Sequence, residues 1–90
     1  MTNLTNMEKA VLTAIDNSDF GYRLQDPVWT HSLKGCVPKA SLGGVVSSLS
    51  KKCLILALDV YGDGGATVEM TKKGADIYLS EVNATPKKLI

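Results

Sequence analysis

Two hydrophobic periods meet in the middle of this chain, and their junction restricts the fold more than any other feature. Leu42, Val45, Val46 and Leu49 recur at i, i+3, i+4 and i+7, the apolar stripe of a helix lying on a core. Soon afterwards residues 53–61 carry Leu54, Ile55, Leu56, Ala57, Leu58 and Val60, which read as a strand. Gly62-Asp63-Gly64-Gly65 supplies turn residues, and Ala66 to Met70 returns through Thr67 and Val68 as a second strand. A helix that passes within a turn into a β-hairpin makes the chain α+β.

The flanks supply the remaining elements. Thr5 and Glu8 stand at capping-box spacing ahead of Met7, Val11, Ala14 and Ile15, so a first helix is expected over residues 6–17. Its solvent face is expected to carry Glu8, Lys9, Thr13 and Asp16. Residues 17–27 read as a long loop or short strand. Pro27, which needs no amide partner in a first helical turn, is expected to open a short second helix holding Val28, Trp29 and Leu33 and ending before Gly35. Trp29 and Tyr22 are expected in the core or half-buried, and His31 at the surface or as a cap. The central helix is expected over residues 41–52, capped by Ser41, with an earlier start at Pro38 as the alternative. Thr71 caps a last helix running through Ala75, Ile77, Tyr78 and Leu79.

At 90 residues there is room for one core and no second domain. Residues 1–82 are expected to form that domain and residues 83–90 a tail. With 44% apolar and 21% charged residues the chain is too apolar and too mixed in charge to be disordered. No apolar run approaches membrane-spanning length and the first residues lack a signal pattern, so a cytoplasmic protein is expected. Cys36 and Cys53, without Cys-x-x-Cys spacing and with His31 as the one histidine, read as reduced structural thiols and not as a zinc site. No glycine-rich phosphate loop, paired carboxylates or nucleophile with its base is present, so neither an enzyme nor a cofactor is expected.

The formal net charge of +1 says little, but its distribution says more. Residues 34–58 hold Lys34, Lys39, Lys51 and Lys52 and no acid, while Asp16, Asp19 and Asp26 crowd the segment before them. On the central helix the face opposite the apolar stripe is Ala40, Gly44, Ser47 and Lys51, flanked by Ser48, so each side chain there is small, hydroxylated or cationic.

Two local patterns resemble a known family. Val46-Ser47-Ser48-Leu49-Ser50-Lys51-Lys52-Cys53-Leu54-Ile55 resembles the recognition-helix exit of MarR-like bacterial transcriptional regulators. Met70-Thr71-Lys72-Lys73-Gly74 resembles the leucine-threonine-x-x-glycine start of the helix after the wing in the same regulators. With a looser match at residues 4–15, the resemblance implies a winged helix-turn-helix: three helices, a β-hairpin wing and a C-terminal helix. It departs from the family in three ways. Cys53 stands where a left-handed glycine usually ends the recognition helix, Asp63 and no arginine lies at the wing tip, and the long flanking dimerisation helices are missing.

The resemblance implies a small transcriptional regulator that reads the major groove of double-stranded DNA with the helix at residues 41–52. Ser47, Ser48 and Lys51 would face the groove, with Ser41, Gly44 and Lys52 on the same helix, and Lys39 and Lys34 toward the phosphates. Gly43 and Gly44 each cost a helix about 1 kcal/mol relative to alanine. Close approach of a phosphate would explain them, and so would close helix packing. Lys72 and Lys73 oppose the dipole of the last helix, so solvent screening or a phosphate contact is needed there. The alternative is a winged-helix module that binds protein and not DNA. A homodimer is a further expectation, with the C-terminal helix and Leu89-Ile90 as its contact.

Overall fold

In a computed structural model of the chain, residues 4–18, 22–33, 35, 37–59, 66–82 and 87–88 are described. The elements are α1 (Asn6–Asn17), β1 (Val28–Trp29), a 3-10 turn (Thr30–Leu33), α2 (Lys39–Lys51), β2 (Ile55–Asp59), β3 (Ala66–Met70) and α3 (Lys72–Glu81). The fold is α+β, with three α-helices and an antiparallel three-stranded sheet in the order β1-β3-β2.

The capping box opens α1 as expected: the Glu8 amide donates to the Thr5 hydroxyl at 3.1 Å, and the Thr5 amide donates to the Glu8 carboxylate at 2.8 Å. Val11, Leu12 and Ile15 then bury one face of the helix. Glu8 and Asp16, expected in solvent, are each only 1% exposed, which corrects the orientation assigned to that face. The helical period explains the burial. Glu8, Val11, Leu12 and Ile15 fall at i, i+3, i+4 and i+7, so the carboxylate belongs to the stripe that faces the core.

The expected second helix at Pro27 does not form. Val28 and Trp29 are instead β1, paired with Val68 and Thr67 of β3, and a single 3-10 turn carries Leu33 into the core. Two causes act together. Asp26 accepts hydrogen bonds from the amides of Tyr22 and Arg23 at 2.7 and 3.0 Å, so the chain enters Pro27 from a closed turn. A β-branched residue followed by an aromatic suits the free side of β3 better than a lone helical turn does. Among the described residues the helix count is therefore three α-helices, not four. Tyr22, expected at least half-buried, is 83% exposed, whereas Trp29 is half-buried as expected.

The helix α2 begins at Lys39, with Pro38 in the cap position and no side-chain cap, so Ser41 lies inside the first turn and does not cap it. At the other end Cys53 takes φ 62, the left-handed conformation that glycine usually supplies. The Cys53 amide donates to the Ser50 carbonyl at 3.0 Å and the Leu54 amide to the Leu49 carbonyl at 3.0 Å. This is a Schellman ending, sealed by contact between buried Leu49 and Leu54. Cys53 thus belongs to the turn, and β2 starts two residues later.

The next corner docks on this one. The Thr71 amide donates to the Leu54 carbonyl at 3.0 Å and its hydroxyl to the Cys53 carbonyl at 2.7 Å, while the same hydroxyl accepts from the Gly74 amide at 3.0 Å to cap α3. Gly74 lies against the Leu54 carbonyl so closely that a Cβ would overlap it. The threonine-x-x-glycine pattern therefore has a physical meaning here: cap and close approach occur within one turn.

Two outcomes follow from these corners. Gly74→Ala forces backbone apart and should destabilise the fold by about 3 kcal/mol, read from urea denaturation. Cys53→Gly removes the left-handed penalty of a side chain and should stabilise by about 1 kcal/mol. A Cys53→Gly variant no more stable than the parent would show that the corner carries no such strain.

Candidate functional site

The orientation of α2 decides which of its side chains can meet a partner. Leu49 is fully buried, and Leu42, Val45 and Val46 pack on the core beside it. The opposite face comes out in solvent as the period requires: Ala40, Gly43, Gly44, Ser47 and Lys51 are exposed. Apart from the adjoining residues and backbone of α2 itself, no atom of the described residues lies within 4 Å of where a Cβ would stand on Gly43 or Gly44, so close packing among the described residues does not account for either glycine.

The candidate residues of the sequence reading divide into three groups. Gly44, Ser47 and Lys51 share the exposed face, with Ser41 half-buried at its edge. Ser48 and Lys52 turn toward α1 instead: the Ser48 hydroxyl donates to one oxygen of Glu8 at 2.9 Å and the Lys52 ammonium to the other at 2.8 Å. Lys39 is the first residue of α2, while Lys34 lies outside the described residues, as do Asp63 and the rest of the expected wing tip.

Burial acts to raise the pKa of Glu8. The hydrogen bonds from Lys52, the Thr5 amide and Ser48, with the charge of Lys52, outweigh it and hold the carboxyl below its ordinary value of 4.5. This four-residue knot clamps the last turns of α2 to the first turn of α1. Ser48 and Lys52 thereby serve to position the helix, and Lys51 is the exposed cation of its last turn.

A basic residue pair, Lys72 and Lys73, follows the corner between the hairpin and α3. Because Thr71 is bonded to the Cys53 and Leu54 carbonyls, the first turn of α3 starts at the turn that ends α2. Exposed Lys72 and Lys73 open α3 at this corner, with the acid Asp76 one turn farther along α3. The signal in the sequence was the Thr71-x-x-Gly74 pattern, which places those lysines but does not say against what.

A second buried carboxylate holds the far side. Asp16 accepts from the Tyr78 hydroxyl at 2.6 Å and from the amides of Lys87 and Lys88 at 3.0 and 2.8 Å, so part of the segment expected as a tail is tied to α1 and α3. Burial draws the Lys88 ammonium below its ordinary value, against the attraction of Asp16 and Asp26.

Among the described residues no three His, Cys, Asp or Glu side chains are placed to hold a metal ion, and no helix is long and apolar enough to cross a membrane. Cys53 is a free, exposed thiol. Cys36 lies outside the described residues. Comparison with family models, curated proteins and solved structures gave no match.

The Glu8 knot makes a prediction about acid. Its carboxyl is depressed in the folded chain, so its stabilisation is complete above the unfolded value and is lost as pH falls through the lower, folded value. Glu8→Gln should cost about 2 kcal/mol at neutral pH and flatten the loss of stability below about pH 4.5. Denaturation midpoints for both proteins from pH 7 to 3 give the comparison, and parallel curves would remove Glu8 from the account.

Proposed function

We propose that the chain is a small DNA-binding module of winged helix-turn-helix type, with α2 as the recognition helix and the β2–β3 hairpin as the wing. The observation that carries this reading is the exposed face of α2. It presents Ala40, Gly43, Gly44, Ser47 and Lys51 without an acid on the helix, and the two glycines meet no packing partner among the described residues. A major groove admits a helix whose outward side chains are short, and its walls are phosphates that favour Lys51, Lys72 and Lys73 at the helix exit.

The order of elements supports the same reading. A short strand ahead of α2 adds to the hairpin as the third strand of the sheet, which backs the hairpin against the body and fixes its direction relative to α2. Within this reading Ser47 is a donor or acceptor for a base edge or phosphate, Lys51 a contact to phosphate or guanine, and Lys39 and Lys34 contacts to the backbone on either side. Ser48 and Lys52 act by holding the helix in place. On this reading the chain is a transcriptional regulator working in the cytoplasm beside its DNA, and it neither catalyses a reaction nor takes a cofactor.

Binding to random duplex DNA separates this reading from a module that binds protein alone. With about four phosphate contacts, affinity should fall roughly 100-fold as salt rises from about 50 to about 200 mM. Lys51→Glu should weaken binding by at least about 10-fold while the circular dichroism spectrum and denaturation midpoint stay unchanged. No binding at the lowest salt would refute the DNA reading, and an unaffected Lys51→Glu variant would refute the assigned face.

A further inference from the structure

The strand β2 pairs with β3 on one side, and the order β1-β3-β2 leaves its other side without a strand among the described residues. Exposed edges of this kind are ordinarily blunted by charges, proline or a bulge, because their free amides and carbonyls invite another strand. The run Ile55-Leu56-Ala57-Leu58 has neither a charge nor a proline. Its alternation also runs against the usual pattern. Ile55 is buried with Val68 and Met70 on the inner face, yet Leu56 and Leu58, opposite Glu69 and Thr67 on the outer face, are 47% and 42% exposed. Half-buried Trp29 lies across Thr67 from Leu58 and extends that apolar surface.

We propose that a second copy of this chain covers the edge, its β2 pairing antiparallel with this β2 about a two-fold axis at Ala57, so that two three-stranded sheets become one of six. The strand's complementarity to itself selects this occupant. In that register Leu56 lies opposite Leu58 of the copy and Leu58 opposite Leu56, so the four exposed leucines cover one another on a single face. Exposed Ala57 sits on the axis, where a small side chain lets the backbones approach. A one-residue slip would turn the copy's leucines to the other side of the sheet and lose the match.

The surface is distinct from the α2 face and stands or falls without the DNA reading. Sedimentation of the full chain over about a hundredfold range of concentration should show a reversible monomer–dimer equilibrium. Leu56→Lys and Leu58→Glu should each weaken it by at least about 10-fold, since each places a charge against a leucine of the copy. Mixing those two variants should restore association, because the antiparallel register sets the new lysine against the new glutamate. Hydrogen exchange on the unaltered chain supplies a check that needs no variant: the amides of β2 should become more protected as concentration rises. A chain monomeric throughout, a dimer indifferent to both substitutions, variants that fail to associate when mixed, or β2 amides insensitive to concentration would each overturn the proposal.

Discussion

The structure depends on the pair of carbonyls at Cys53 and Leu54. The amides of the same two residues close the turn after α2 on the Ser50 and Leu49 carbonyls, and the carbonyls are the acceptors on which Thr71 docks the start of α3. One corner thus fixes the exit of a helix, the start of a strand and the entry of the next helix. It tolerates nothing but glycine at position 74, since any Cβ there meets the Leu54 carbonyl. Leu49 and Leu54 bury the apolar side of the turn, which commits α2 to one rotation about its axis. Every statement about which side chains of α2 face outward rests on that commitment.

The Glu8 knot fixes the same helix from the other side. A carboxylate so buried would be costly if unpaired, and here both its oxygens are bonded, to Thr5, Ser48 and Lys52. Such a site adds no more stability than an apolar contact of equal volume, but it is selective about geometry. A helix rolled by one residue would break bonds from Ser48 and Lys52 together. The clamp and the corner therefore specify one presentation of Ser47 and Lys51.

Much of this was legible in the sequence where local chemistry and period agree. The capping box at Thr5 and Glu8, the α2 stripe, the hairpin strands and the Thr71 cap all carry their cause within a few residues of themselves. The failures have a common origin in long-range pairing. Val28-Trp29 becomes a strand because β3 has a free side 40 residues later in the chain, which no local window contains. Glu8 and Asp16 look like solvent residues by type, and their burial is decided by partners at Ser48, Lys52, Tyr78, Lys87 and Lys88. The stripe position of Glu8 was the available clue. On α2 the reading of the exposed face was sound for Ser47 and Lys51, and it failed to foresee that Ser48 and Lys52 are engaged with α1.

The placement of glycine in this chain is inverted relative to what stability alone would choose. The left-handed corner, where glycine would relieve strain, holds Cys53, while two glycines stand side by side in the middle of α2, where alanine would be better by about 1 kcal/mol each. Packing gives no reason for the pair, because open space surrounds both positions. A small domain with a single core has little stability to give up. Gly43 and Gly44 lie one turn from Ser47 and on the same side as Lys51, so the departure from stability and the acid-free face coincide.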